Sequence, residues 1–589
     1  MCGVVAIISF DGDIGEVELN GLKSTVAHRG PDDSGIYLDN QDQYAVALGH
    51  TRLSIIDPSH SGHQPMGLHG VGRNAQAVTE DSNLCTADLL ISYNGEIYNF
   101  EEIREQLVNL GWTFQSRSDT EVLLKGFAEW GEDLLQQLIG MYSFAVYDRV
   151  RKTVSFYRDF PGVKPLYSFK TGRRIYFASE VKSFARFDLP IDEARLREYQ
   201  SSKYIGHESL SAGVRCLAPG TCLTIDLAGQ TVSEHMFTSL PAILNGSAYK
   251  RRGGKTEAQL IDDLDELLNK VVQDQMVADV PVGTICSGGI DSSLVTAIAA
   301  RLRPELKIFS LDVDGTSEIE YARVVSDYLG LELCEVPFDK RDFESLAPTA
   351  AYYKDTPLVH PNSIAILKLS QAVKAHGVKV ILSGEGADEV FGGYQKYIDY
   401  YRVLRLKRFL PSLDKSLIPL IGDENSLRLI VDNEVSPADL WRIWPTSDGR
   451  IDAQEILRNK YRTLGESRIG AELSSLIAKD IQYYLNPLLR RADRMTMAVG
   501  IEGRVPMLDQ RVIEFGVNLP SNYKVRFYHG GKYLLKRVSE RYLPKRIVWR
   551  KKKGLPLPVA EWTGVDSKLQ QKSYFLDLWF RHSAGDQQK

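Results

Sequence analysis

The sequence predicts an α/β protein made of two unlike domains, and three observations carry that prediction. Up to about residue 235, short β-rich runs alternate with turns. After Pro281, apolar runs, glycine turns and helical stretches follow one another, the pattern of a parallel sheet with helices on both faces. Beyond about residue 400 the pattern is helical to the end. At roughly 150 residues per domain, 589 residues accommodate two large domains or about four ordinary ones.

The opening stretch, Met1-Cys2-Gly3-Val4-Val5-Ala6-Ile7-Ile8, reads as a buried strand ended by the Asp11-Gly12 turn. No basic residues precede it and no small-residue cleavage site follows, so it is not read as a signal peptide. Further strands are expected at 44–48, 89–93, 143–147, 153–157 and 175–177, with helices at 100–110 and 119–130. The stretch 67–88 is polar and without period, which reads as an exposed insertion loop. Residues 236–255, with Asn245-Gly246-Ser247 and Arg251-Arg252-Gly253-Gly254-Lys255, read as a linker between domains 2–235 and 256–575. Thr256 with Gln259 makes a capping box. It opens a helix whose Leu260, Leu264, Leu267, Val271 and Val272 recur at helical spacing. Buried strands are then expected at 283–286, 308–313, 332–337 and 378–382, with a helix at 292–302.

Composition narrows the function classes. With 43% hydrophobic and 25% charged residues, the chain is an ordinary globular protein. A net charge of −5 gives no overall basic field, so no nucleic-acid partner is expected. No apolar run approaches the roughly 20 residues of a membrane span, so no membrane partner is expected either. Six cysteines are too few for a disulfide framework and point to a reducing compartment. A large cytoplasmic enzyme with small-molecule partners is the expectation, and a homodimer is left open.

Cys2 is the first chemical candidate. With Met1 removed, its thiol shares a residue with an α-amine of pKa about 7.7–8.0, able to serve as base without a histidine. A lone cysteine near a strand start could also be a small buried hydrophobe. Four downstream motifs argue otherwise: His28-Arg29-Gly30-Pro31-Asp32, Arg52-Leu53-Ser54-Ile55-Ile56-Asp57, Asn94-Gly95-Glu96-Ile97-Tyr98-Asn99 and Ser118-Asp119-Thr120-Glu121. Behind a Met-Cys-Gly start they resemble the glutaminase domain of class II amidotransferases. That resemblance implies an N-terminal-nucleophile (Ntn) hydrolase fold, an α/β/β/α sandwich. It implies Cys2 as nucleophile, and the Asn94 side-chain amide and Gly95 backbone N–H as oxyanion donors. It also implies that Arg52 takes the glutamine carboxylate, and that Asp119 with Glu96 takes the ammonium. His28, His50 and His63 read as structural histidines, the last two in polar loops. No Cys/His set has zinc-ligand spacing.

The second site begins at Ser287-Gly288-Gly289-Ile290-Asp291-Ser292-Ser293, a glycine turn between strand and helix. The P-loop pattern is absent, yet small residues, free backbone N–H groups and a helix start make an anion cradle. The segment resembles the pyrophosphate loop of ATP pyrophosphatases. Leu382-Ser383-Gly384-Glu385-Gly386-Ala387-Asp388-Glu389 follows, then Asp493-Arg494-Met495-Thr496 and Glu502-Gly503-Arg504-Val505-Pro506. With the first half, these make residues 1–560 resemble the glutamine-hydrolysing asparagine synthetase family. The resemblance implies a C-terminal parallel-sheet α/β ATP-pyrophosphatase domain with a helical end. It implies ATP and Mg²⁺ as cofactors. Ser287, Gly288, Gly289, Asp291, Ser292 and Ser293 would hold the pyrophosphate end, with Asp291 and Asp388 on the metal. Cys286, Leu311, Ser383 and Gly384 would meet the adenosine, and Glu385 the acceptor side.

The run 545–553 could be a nucleic-acid patch or a solvated basic face. The resemblance instead sends Arg550 and Lys552 to the ATP phosphates, with Lys551 and Lys553 as the nearest competitors. Asp355-Thr356-Pro357-Leu358-Val359-His360-Pro361-Asn362-Ser363 departs from the family's Thr/Arg-rich aspartate-binding stretch. Aspartate is therefore the first expected acceptor and another carboxylate the second. A catalytically silent binding protein is the rival of a different class.

Overall fold

The computed structural model describes residues 2–70, 72–202, 209–358, 360–409, 450–551, 554–555 and 557–582. Its N-terminal half stacks two antiparallel sheets between helices. One has six strands, in the order Arg215–Cys216, Tyr167–Thr171, Arg174–Ala178, Gly3–Ser9, Ala45–Arg52, Asp33–Asn40. The other has seven: Thr231–Met236, Thr221–Asp226, Thr153–Arg158, Gly140–Asp148, Leu89–Ile97, Met66–His69, Gln76–Val78. Ala6, Ile8, Val46 and Leu48 of the first sheet meet Leu90, Ala145, Val154 and Phe156 of the second in one apolar layer. Phe156 and Phe177 stack across it with centroids 3.6 Å apart. Helix Glu16–Ser24 covers the outer face of the first sheet, and Phe100–Asn109 with Asp119–Trp130 that of the second. This is the expected α/β/β/α sandwich.

The stretch 67–88 is not a simple loop. Met66–His69 and Gln76–Val78 pair as a hairpin at the edge of the seven-stranded sheet. Leu84 and Ala87 are fully buried between the sheets, which holds the segment down.

The C-terminal half is built on a five-stranded parallel sheet, ordered Leu333–Phe338, Lys307–Val313, Val282–Ile285, Val380–Leu382, Glu502–Arg504. Strand order reverses beside Val282–Ile285, the first strand in sequence. That leaves a crevice at the carboxyl ends of Val282–Ile285 and Val380–Leu382, where ligands collect in such sheets. The capping box forms as expected at Thr256 and Gln259, on helix Glu257–Gln275. The stretch expected as a linker carries two short helices, Leu240–Ile243 and Gly246–Gly253, and buries Leu240, Leu244, Ala248 and Tyr249. Helices dominate the described residues from 450 onward, and no described helix is long and apolar enough to cross a membrane.

The halves share a continuous apolar core, in which Leu53, Ile55, Met141 and Phe160 join Leu260, Leu264 and Val505. A buried ionic seam runs beside it. Arg29 Nη1 and Nη2 donate to both carboxylate oxygens of Asp493 at 2.9 and 3.1 Å, and Nη1 also donates to Glu180 at 2.7 Å. Arg494 pairs with Glu180 at 3.0 Å and with Asp355 at 3.2 Å. Lys182 reaches Glu180 and Asp355. Burial opposes ionisation of Glu180, yet the Arg494 and Lys182 charges hold its carboxyl well below the usual carboxylate range.

Candidate active sites

Cys2 stands just ahead of strand Gly3–Ser9 and is 6% exposed. Its backbone N–H donates to Asn94 Oδ1 at 2.9 Å, a bond from one sheet to the other. That bond orients the Asn94 amide and leaves Nδ2 as the spare donor. Nδ2 is buried without a hydrogen-bond partner among the described residues. An orphaned buried donor costs free energy unless a ligand satisfies it. Gly95 follows on strand Leu89–Ile97, and a Cβ there would lie 2.2 Å from the Met141 carbonyl, so only glycine fits. Burial pushes the Cys2 thiol up, against the pull of the Leu53 amide and the Arg52 charge.

Arg52 ends the strand beside Gly3–Ser9, with Gly3 paired to Thr51. Its guanidinium donates to the carbonyls of Ser59 (2.9 Å), Asp57 (2.6 Å) and Ile56 (3.2 Å). Asp119 is the first residue of helix Asp119–Trp130, capped by Ser118. It accepts from Tyr93 Oη at 2.9 Å and the Ile97 amide at 3.2 Å. Burial raises its carboxyl above the ordinary 3.8, and those two donors pull against the rise. Glu96 is buried, and its Oε2 faces Arg504 of the other half at 3.7 Å. Cys2, Asn94, Gly95, Arg52, Asp119 and Glu96 thus converge from four elements. Glu121 does not join them; its carboxylate binds the Gln115 and Ser116 amides and Lys125.

His28, His50 and His63 are all hydrogen-bonded within the fold, but His50 is not in a loop. It lies fully buried within strand Ala45–Arg52, where Nε2 meets the Tyr93 carbonyl at 2.9 Å and burial pulls its pKa down to about 3. His28 pairs with Glu180 at 3.2 Å and His63 with Asp33 at 2.7 Å. Asp33, His60 and His63 bring donor atoms within 4.8 Å of one another, a grouping their spacing did not disclose.

In the C-terminal half, a cavity of about 1360 Å³ fills the crevice. Ser287, Gly289, Asp291, Ser292, Leu311, Ser383, Gly384, Glu385, Asp388 and Arg550 all line it. The two strand-end motifs touch: a Cβ on Gly384 would lie 2.4 Å from the Ser292 nitrogen. Asp291 and Asp388 converge on one cation, Lys532, whose Nζ is 2.5 Å from Asp291 Oδ2 and 2.7 Å from Asp388 Oδ1. Two carboxylates facing a common positive charge are a donor set that suits Mg²⁺. Glu385 pairs with Arg491 at 2.7 Å. Arg550 pairs with Glu318 at 2.8 Å, stacks over Tyr321 and keeps Nη1 buried without a hydrogen-bond partner among the described residues.

Cys286 and Ser293 face the interior instead, fully buried with Sγ and Oγ 3.6 Å apart. Gly288 packs against Tyr321. Lys552 and Lys553 lie outside the described residues, while Lys551 lines the cavity. Asp355 and Thr356 are buried, and Asp355 is bound at the seam to Lys182, Arg494 and the Val181 amide. Asn362 does reach the cavity.

Sequence reasoning missed Lys532, Arg491 and Lys164, which also line this cavity. The signal for Lys532 was the Gly530-Gly531 pair before an apolar helix start, since Lys532 adopts φ +57°. Lys164 and Val163 belong to the N-terminal half, so the cavity opens onto the seam.

Two family matches divide the chain: "Asparagine synthase" over residues 263–573 and "Glutamine amidotransferase domain" over residues 1–237. The chain is 30% identical over 591 residues to asparagine synthetase (glutamine-hydrolyzing) 1 of Bacillus subtilis strain 168, covering 95% of this chain and 88% of that protein. It is 33% identical over 443 residues to a putative asparagine synthetase (glutamine-hydrolyzing) 2 of Methanocaldococcus jannaschii, covering 72% and 82%. A protein of Gibberella zeae named amidase chry2 is 29% identical over 433 residues, covering 67% and 60%.

Proposed function

From the premise that this chain belongs to the asparagine synthase family, a family of ATP-dependent, glutamine-hydrolysing ligases, we infer that it moves the amide nitrogen of glutamine onto an ATP-activated carboxylate. The Cys2 thiolate attacks the glutamine carboxamide carbon. Asn94 Nδ2 and the Gly95 N–H receive the oxyanion, a service that commonly contributes 10²–10³ in rate. The C–N bond breaks as the α-amine of Cys2 passes to the leaving nitrogen the proton it took from the thiol, ammonia departs, and water releases glutamate from the thioester. Arg52 holds the substrate carboxylate; Asp119 and Glu96 hold its ammonium.

In the second half the acceptor carboxylate attacks the α-phosphorus of ATP and expels pyrophosphate. Ammonia then displaces AMP from the acyl-adenylate, giving an amide. Ser287, Gly289 and Ser292 cradle phosphate, and Arg550 meets the leaving pyrophosphate, a role the family resemblance also assigns to Lys552. Glu385 lies on the acceptor side. Asp291 and Asp388 would hold Mg²⁺, which supplies charge neutralisation between a carboxylate and a polyphosphate.

A single observation carries the pairing of the two reactions: one cavity is lined both by Asp291 and Asp388 and by Val163 and Lys164 of the glutaminase half. On this reading ammonia released at Cys2 passes across the seam to that cavity rather than into bulk water.

Aspartate is the proposed acceptor, giving asparagine. A second reading, another metabolite or peptide carboxylate, is favoured by the commitment of Asp355 to the seam. The test is an AMP-release assay with glutamine, ATP-Mg²⁺ and a panel of carboxylates. AMP and amide formed with aspartate alone supports the first reading, and formation with a different acid supports the second. No AMP with any acid, under conditions where glutamate accumulates, counts against a ligase.

A further inference from the structure

Arg504 touches both sites. It closes strand Glu502–Arg504 and is fully buried. Its backbone belongs to the ATP side: it registers with Leu382, and its carbonyl accepts from the Ser383 amide at 3.0 Å. Ser383 opens the motif that packs against Ser292. Its side chain belongs to the other side. Nε donates to Glu502 Oε1 at 2.6 Å, and Nη1 donates to the Gln275 and Val277 carbonyls at 2.7 Å each. Those three bonds fix the guanidinium plane, and Tyr98 of the glutaminase half lies 5.6 Å from it.

The remaining nitrogen, Nη2, is buried with no hydrogen-bond partner among the described residues. It points at Glu96 Oε2, equally buried and equally without one, at 3.7 Å. A guanidinium N–H and a carboxyl oxygen held just outside bonding distance, both desolvated, are costly to leave so. A small displacement of Glu96, or a ligand cation between them, would complete the pair. Burial, then Glu502, pushes the Glu96 carboxyl well above its usual range, and the Arg504 charge opposes them.

We propose that Arg504 is a positioning residue that couples the two sites, its side chain setting Glu96 for the ammonium of glutamine while its carbonyl fixes the Ser383 end of the ATP loop. The inference rests on the reading of Glu96 as an ammonium contact. Nucleotide seated against the Ser383 loop moves the strand end that carries this held guanidinium toward Glu96 and closes the 3.7 Å gap, so the coupling is positive. By linkage it is also reciprocal.

The test measures KM for glutamine hydrolysis with and without a saturating non-hydrolysable ATP analogue, in the wild type, Arg504→Gln and Arg504→Lys. The wild type should bind glutamine about 5-fold or more tightly with the analogue present, the lower end of usual allosteric coupling. Arg504→Gln should bring that ratio to about one and raise KM far more than it lowers kcat, a split that general loss of packing does not produce. Arg504→Lys, which keeps the charge but not the fork of donors, should restore part of the ratio. If Arg504→Gln does not fold, Arg504→Lys carries the test alone, with a ratio below that of the wild type. A wild-type ratio of one, or an unchanged ratio in a folded variant, overturns the proposal. A wild type that hydrolyses no glutamine at all fails the underlying function instead, and the coupling with it.

Discussion

Around Cys2, the side chains of Asn94, Arg52 and Asp119 are buried and held by bonds of 2.6–3.2 Å from both sheets. Around Asp291 the chain instead leaves an open cavity of about 1360 Å³, whose carboxylates lean on Lys532 and Arg491. The first site is shaped by packing before substrate arrives, as suits a small zwitterion with one amide to cleave. The second is balanced by its own charges, so a polyphosphate must exchange partners with them. On the proposed function, rigidity serves the thioester chemistry. Exchangeable charge serves a site that binds and expels anions.

Each contrast can be broken by substitution. The largest expected effect is at the open site: Asp291→Asn or Asp388→Asn should eliminate ammonium-dependent AMP and amide formation while glutamine hydrolysis persists. Equal loss of hydrolysis in a folded variant would erase the division of labour, and surviving Mg²⁺-dependent AMP formation in both variants would remove the metal assignment.

The seam should respond next. Glu180→Gln removes the carboxylate shared by Arg29, Arg494 and Lys182 and leaves Arg494 and Lys182 to share Asp355 in the buried seam, which should cost about 3–5 kcal/mol at neutral pH. Glu180 ionises more readily folded than unfolded, so its contribution is present above the unfolded value of about 4.3 and is lost as pH falls through the lower folded value. Denaturant melts should therefore show the wild type and variant converging below about pH 4.3. A gap that stayed constant into acid would mean that charge is not its source.

At the closed site, Asn94→Ala should slow glutamine hydrolysis by about 10²–10³ in kcat. A near-unchanged rate takes Asn94 out of the mechanism. The smallest effect concerns acidity. Asp119 is raised above 3.8 by burial, so on acidification it takes up its proton, and loses its hold on the ammonium, at a higher pH than an exposed aspartate. KM for glutamine should rise on the acid side with a midpoint above 3.8, and Asp119→Asn should flatten that rise. A midpoint at or below 3.8 contradicts the burial argument.

Much of this was readable from local pattern. Thr256 with Gln259 announced a helix because capping needs only four residues of context. Asp119 was singled out only through the resemblance of the four N-terminal motifs, while the glycine turn at Ser287 was legible from small residues set between a strand and a helix. The failures share a different cause. Leu240, Leu244 and Ala248 stand at helical spacing, but Asn245 and Gly246 between them look like a flexible turn. Strand Glu502–Arg504, at three residues, is too short to show a period, so the reach of Arg504 into the glutaminase half was invisible. His50 sits in a strand buried on both faces, where alternation disappears. Partners separated by hundreds of residues, such as Arg29 with Asp493, emerge only once the two halves are docked.

The central claim is that two independent chemistries share one chain and exchange ammonia. The most direct measurement compares amide and AMP formation by the wild type and Cys2→Ala, each supplied first with glutamine and then with ammonium. Cys2→Ala should make no product from glutamine and should match the wild type with ammonium. Amide formed from glutamine without Cys2, or loss of the ammonium reaction in a folded Cys2→Ala protein, would contradict the account.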